Sequence, residues 1–294
     1  MIFSDLFLLN VSDLRFVAWD TETTGISAER CYLVELAACT FDEDFLHRRF
    51  ESLIKPPESI PADVIKVHGI TDQMVEHAPN AAAVLEQFDE FLSLSGSPRV
   101  LLAHNCGFDI SFIHAETRRL GSNALRHSEI VLDTCVLARR LLPQLQSHSL
   151  GGLVEALRVP VPESYHRAAA DVQALYGIFM KLLGLAADQT LEKGAALTLG
   201  RLVELCCGYH VLAPHDGDYS KHSFQLSPAL KQIEDLCGKE TTVGIVYDHE
   251  DAGLRYITPL QVRLKSSCIY VDALCHEQNI KKTFRADRIL KVVF

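Results

Sequence analysis

Short apolar runs, too brief for a useful helix, punctuate the first half of the chain. Phe16-Val17-Ala18-Trp19 reads as a buried strand, as does 100–103, and residues 31–40, 46–54 and 130–132 read as further strands. Between them the apolar period changes. Val84, Leu85, Phe88, Phe91 and Leu92 fall on one face of a helix that Asn80 is placed to cap, ending near residue 94. Residues 107–120, 134–142, 150–157 and 168–185 read as further helices, the last strongly apolar. Three strands followed by strands alternating with helices predict a mixed α/β sheet covered by helices. Residues 184–195, poor in bulky β-branched side chains, read as a boundary. Beyond it the pattern predicts a helix over 197–206, then an irregular segment carrying His210, Pro214, His215 and Gly217. A short helix over 228–236 and β-prone runs at 242–247, 255–258, 268–274 and 289–293 follow, as in a small β-domain.

The 294 residues favour two domains over one, here an N-terminal unit of residues 1–185, a linker and helical segment of 186–239, and a β-domain of 240–294. The apolar run in residues 1–16 has no basic flank and is broken by acids, the pattern of neither a signal peptide nor a membrane span. Nine cysteines, an odd number scattered through apolar runs, suit a reduced cytoplasmic protein. No CxxC, HExxH, Walker A or GxGxxG pattern is present, which removes the main support for zinc proteases, phosphate loops and dinucleotide folds. Cys206, Cys207, His210, His215 and His222 match no closed Cys/His spacing and read as core cysteines with loop histidines. The formal net charge of −10 resides in residues 1–190, whereas residues 252–294 carry 8 basic and 3 acidic side chains. That basic tail is where affinity for a polyanion would lie.

The first strand ends in Asp20 and Glu22. Alternation puts these two carboxylates on one face, where they repel unless a hard divalent cation sits between them. Alternatively they are a solvated strand end whose acids cap the next turn. Two further segments carry acids at element ends. His104-Asn105-Cys106-Gly107-Phe108-Asp109 runs from a strand into a helix, and His166-Arg167-Ala168-Ala169-Ala170-Asp171 opens another. Each alone is satisfied by a solvated first turn favoured by the helix dipole.

Together the order D-x-E, H-N-x-x-F-D, H-x-x-x-x-D resembles the DEDDh, or DnaQ-like, 3′→5′ exonucleases over residues 14–185. The Val67-His68-Gly69-Ile70-Thr71 segment is also typical of that family. Arg167 stands where the tyrosine-bearing sister branch has its tyrosine. The resemblance implies an RNase H-like fold with a five-stranded mixed sheet, and release of nucleoside monophosphates from a 3′ end, most readily of single-stranded DNA. It implies a pair of Mg²⁺ or Mn²⁺ ions held by Asp20, Glu22, Asp109 and Asp171. Such a pair, roughly 3.5–4 Å apart, would activate water and stabilise the leaving oxygen. Also by resemblance, His166 is the general base, and Thr23, Ile26, His68, Asn105 and Phe108 meet the terminal nucleotide, Ile26 as a wedge. His104 serves equally well as packing.

In the tail, Arg255-Tyr256-Ile257-Thr258-Pro259-Leu260, Ile269-Tyr270-Val271 and Lys281-Lys282-Thr283-Phe284-Arg285 resemble a WYL domain, a small SH3-like β-barrel, over residues 240–294. The resemblance implies phosphate or ligand contacts at Arg255, Arg285 and Arg288. Other readings remain: a ligand- or nucleic-acid-sensing regulator built on an inactive exonuclease fold, or an exonuclease directed at RNA. A homodimer or a polymerase or repair partner is compatible with either; a membrane partner is not expected.

Overall fold

A computed structural model describes residues 3–121, 125–126, 128–160, 167–191, 195–212, 224–248, 253–265 and 268–293. A helical turn, α1 (Phe3–Leu6), precedes β1 (Arg15–Thr23), β2 (Leu33–Phe41) and β3 (Leu46–Leu53). Then come α2 (Ala62–His68), α3 (Asp72–Val75), α4 (Ala81–Ser93), β4 (Arg99–Ala103), α5 (Gly107–Leu120), β5 (Glu129–Asp133), α6 (Thr134–Leu141), α7 (Leu150–Leu157) and the long α8 (Ala168–Leu191). After α9 (Leu199–Leu205) the chain returns as β6 (Gly208–Leu212) and β7 (Phe224–Leu226). One sheet results, in the order β3-β2-β1-β4-β5-β6-β7. β1, β4 and β5 are parallel, and the strands flanking them are antiparallel.

Side-chain parity along β1 builds both layers. Phe16 and Ala18 belong to a core shared with Val172, Leu175, Phe179 and Leu182 of α8. Val17 and Trp19 point the other way, into a core with Val84, Leu85 and Phe88 of α4 and Ile110, Phe112 and Ile113 of α5. Asp20 and Glu22 continue the α8 face, and Thr21 continues the α5 face. α8 is long and apolar enough to cross a membrane by length and composition, yet this side of it is spent on the sheet. Asn80 caps α4 as expected, its Oδ1 accepting from the Ala83 N–H at 3.0 Å.

The sheet has seven strands where five were expected. The residues that read as irregular around His210 form β6, pairing antiparallel with β5, and β7 extends the edge. The strand hides in the sequence because it is short and opens at two unusual backbone positions: Cys207, just before it, has φ 61° and its first residue, Gly208, φ 143°. A Cβ at Gly208 would sit 2.1 Å from the Gln225 carbonyl oxygen, so only glycine lets β6 and β7 approach. α8 also runs to Leu191, through the expected boundary. α9 then buries Leu199, Leu202, Val203 and Leu205 in the same core as β1, so residues past 185 complete the first unit rather than merely linking it to the second.

The remaining chain forms α10 (Pro228–Leu236), β8 (Val243–Tyr247), β9 (Gly253–Lys265), β10 (Cys268–Cys275), β11 (Ile280–Arg285) and β12 (Ile289–Val293). The five strands make an antiparallel sheet ordered β11-β10-β9-β8-β12. β11 escapes sequence reading because it is an edge strand, Ile-Lys-Lys-Thr-Phe-Arg, in which Phe284 alone is fully buried. Leu230 and Ile233 of α10 join this core, as do Val136 of α6 and Cys207, so the two units share apolar packing.

Candidate active site

β1 carries its acids to the end of the sheet where α5 and α8 begin. Asp109 lies in the first turn of α5 and Asp171 in the first turn of α8, so both helix dipoles favour negative charge there. Ligand oxygens of Asp20, Glu22 and Asp171 come within 4.8 Å of one another. Asp109 joins from the opposite face: its Oδ1 accepts from the Thr21 backbone N–H at 3.1 Å and from Thr21 Oγ1 at 2.7 Å. Thr21, absent from the sequence reading, is thus the link between β1 and α5.

Electrostatically the cluster is overloaded. Burial, then repulsion from Asp109, Asp171 and Glu22, holds the Asp20 carboxyl well above the usual carboxylate range. Burial, then Asp171 and Glu35, pushes Glu22 to about 8. Burial pushes Asp109 to about 7 against the opposing hydrogen bonds from Thr21. Arg167 opposes this only in part, at Glu22. An all-oxygen, converging, over-charged donor set fits hard divalent cations.

A further acid, Glu35, went unnoticed in sequence, where it reads as one polar residue inside an apolar strand. It is inaccessible, pairs in register opposite Glu22, and receives the Arg167 guanidinium at 3.0 and 3.1 Å. Its Oε2 also accepts from the Ala168 N–H at 2.9 Å, capping α8 just before Asp171. His166, the residue expected to be the general base, lies outside the described residues.

The other expected residues surround the cluster. Thr23 is buried, its hydroxyl donating to the Gly25 carbonyl at 2.7 Å. Ile26 is 92% exposed, a position that water alone would not favour. His68 is buried, and its Nδ1 accepts from the Ile70 N–H at 2.9 Å. Asn105 adopts φ 65° in the turn before α5, and Phe108 packs on Phe112 with ring centroids 4.9 Å apart. His104 is a packing residue: its ring nitrogens bond Thr134 Oγ1 at 3.0 Å and the His148 carbonyl at 2.8 Å.

Asn105 and Phe108 open onto a cleft of about 1270 Å³ bordered also by Arg118, Arg139, His148 and, from the tail, Leu264 and Arg285. The carboxylates are not among its lining residues. Of Arg255, Arg285 and Arg288, Arg285 alone lines this cleft, and it pairs with Asp287 through two hydrogen bonds of 3.1 and 2.5 Å. Arg288 is exposed on the turn that follows β11, and Arg255 is half-buried on β9.

Residues 17–179 match the family described as Exonuclease, RNase_T. The chain belongs to the exonuclease family. Residues 228–294 match the WYL domain family, which therefore takes in α10. Among curated relatives, the DNA polymerase III subunit epsilon of Treponema pallidum is 34% identical over 191 residues, covering 64% of this chain and 85% of that protein. The PolC-type DNA polymerase III of Bacillus cereus is 33% identical over 184 residues, 63% of this chain but 12% of that much longer protein. Among solved structures, exonuclease I shares the fold at a TM-score of 0.60 and 15% identity, over 95% of this chain and 64% of that one. The cell-death related nuclease CRN-4 shares it at 0.50 and 16%, over 58% of this chain and 64% of that one. With this membership the chain is a 3′→5′ exonuclease of the DnaQ type carrying a WYL domain.

Proposed function

We propose that this exonuclease removes nucleoside monophosphates from the 3′ end of single-stranded DNA, using a pair of Mg²⁺ or Mn²⁺ ions held by Asp20, Glu22, Asp109 and Asp171. The observation that carries the reading is the convergence of Asp20, Glu22 and Asp171 with Asp109 locked beside them through Thr21. When bound, the ions supply charge neutralisation and activation of water for an in-line displacement. The protein's part is positional. The rigid sheet end fixes the carboxylates, Glu35 and Arg167 fix the start of α8, and His166 takes the proton from the attacking water. Ile26, already in solvent, wedges against the last base, while Thr23, His68, Asn105 and Phe108 bound the nucleotide pocket.

The tail, read as an SH3-like barrel, extends the strand path. The cleft runs from Asn105 and Phe108 to Arg285, so a strand leaving the nucleotide pocket meets basic side chains of both units. DNA is favoured by the relatives, a DNA polymerase III subunit epsilon and a PolC-type DNA polymerase III. The same likeness supports a polymerase or repair partner, and the scattered cysteines support a cytoplasmic location.

End-labelled single- and double-stranded DNA and RNA, digested with Mg²⁺ or Mn²⁺, test the reading. Mononucleotide release fastest from single-stranded DNA is expected, with His166→Ala losing turnover while keeping Mn²⁺ and strand affinity. Faster release from RNA would overturn the substrate assignment. Equal loss of Mn²⁺ affinity would make His166 a metal-site residue.

A further inference from the structure

A second group of metal-ligating side chains begins at Cys106, three residues before Asp109, and differs from the carboxylate cluster in chemistry. Cys106 ends the turn after β4, Asp133 is the last residue of β5, and His210 is the middle residue of β6. Three separate segments thus deliver a thiol, a carboxylate and an imidazole whose ligand atoms lie within 4.8 Å of one another. All three residues are at most 5% exposed.

Among the described residues, no nitrogen or oxygen donor bonds Asp133 Oδ2 and nothing bonds His210 Nδ1, although both atoms are buried. The group that faces Asp133 is the Cys106 thiol. Buried polar atoms are ordinarily paired, so two such atoms in one cluster call for a ligand. The other oxygen of Asp133 is fully engaged. Its Oδ1 accepts from the backbone N–H groups of Asn105, Cys135 and Val136 at 3.1, 2.8 and 3.4 Å. That is how an outer shell orients a carboxylate to present one oxygen to a cation.

We propose that Cys106, Asp133 and His210 bind one thiophilic divalent cation of the Zn²⁺ class, which clamps β6 to the catalytic turn. Sulfur and nitrogen donors select zinc-like ions over Mg²⁺ and Mn²⁺, so the site is chemically insulated from the all-oxygen cluster. Ligand atoms around a tetrahedral zinc lie roughly 3.3–3.8 Å apart, so closing from the present separation takes small side-chain shifts. A route in exists, because His210 and Asn105 both line the open cleft. The site also explains why β6 can be added to this sheet: the ion ties it to the segment that carries Asn105, Phe108 and Asp109. Sequence spacing could not show this, since the ligands are 27 and 77 residues apart (106 to 133, 133 to 210).

The full chain, purified without chelator and dialysed against Mg²⁺, is assayed for metal by inductively coupled plasma mass spectrometry. About one zinc per chain is expected, and Asp20→Asn should retain it. Cys106→Ser and His210→Gln should each weaken zinc binding by more than the roughly 10–100-fold that losing an outer-shell partner costs. Co²⁺ substitution of the wild-type chain gives a reading that does not depend on how either variant folds: a thiolate-to-cobalt charge-transfer band is expected. Absence of that band, zinc retained in both ligand variants, or zinc lost in Asp20→Asn would each overturn the assignment.

Discussion

The Arg167 guanidinium spans both oxygens of Glu35, with Nε at 3.0 and 3.1 Å from Oε1 and Oε2. The same carboxylate caps α8 through Ala168. Glu35 is inaccessible while Arg167 is part-exposed, so losing the arginine strands a buried charge. Arg167→Ala should cost about 3 kcal/mol in chemical denaturation. It should also weaken Mn²⁺ binding in calorimetry, because the first turn of α8 sets Asp171. Arg167→Lys restores charge without the two-point grip, so stability should recover further than Mn²⁺ affinity. Unchanged Mn²⁺ affinity in both variants would confine the pair to a structural role.

Asp20→Ala, Glu22→Ala and Asp171→Ala should each lower turnover by several orders of magnitude, since each removes a donor from a cluster that has no spare. The same changes should leave the metal-free protein as stable as wild type or more so, because they relieve repulsion. Turnover by single-turnover digestion, with melting in chelator, checks both halves. Near-normal turnover in any of the three would refute the metal-holding assignment.

The raised carboxyls have a signed consequence. Glu22 near 8, Asp109 near 7 and Asp20 well above its usual range each bind protons more readily folded than unfolded, where carboxyls titrate near about 4. Folding is therefore favoured at low pH, and that advantage is lost as pH rises from about 4 to about 8. In chelator, the melting temperature should fall by several degrees between pH 5 and pH 8. Saturating Mn²⁺ should abolish the fall, and Asp20→Asn should reduce it. A melting temperature that rises over that interval in chelator would contradict the picture of an over-charged cluster.

What the sequence disclosed about this site follows from locality. Asp20 and Glu22 share a strand, Asp109 and Asp171 open helices, and each carries its signal within a few residues. Glu35, Thr21 and His210 matter through partners 132, 88 and 77 positions away, namely Arg167, Asp109 and Asp133. Such pairings leave no periodic trace. The same holds for the fold. Strands with continuous apolar runs were legible, and so was β3 beyond its turn, whereas β6, short and opening on Cys207 and Gly208, and β11, a half-solvated edge strand, were not.

The tail's role yields to a salt series, and the structure changes how that is done. Truncation near residue 196 would remove α9, whose Leu199, Leu202 and Val203 are buried against β1's core, and would strip β6 from β5. Loss of binding in such a protein would report unfolding. Point variants avoid this. Arg288 is exposed and Arg255 half-buried, while Arg285 already shares its charge with Asp287. If Arg255 and Arg288 each neutralise one phosphate of a single strand, the double alanine variant should shallow the log–log salt slope by about 1.4. Arg285→Ala should change the slope less than either, because Asp287 competes with phosphate for the guanidinium. Turnover of a strand too short to reach the tail should stay near wild type, as no carboxylate of the cluster is touched. Fluorescence anisotropy of a labelled 3′-blocked strand over a range of salt concentrations measures the slope. An unchanged slope in the double variant would mean that the tail's basic face serves a small ligand or a partner protein instead of the strand.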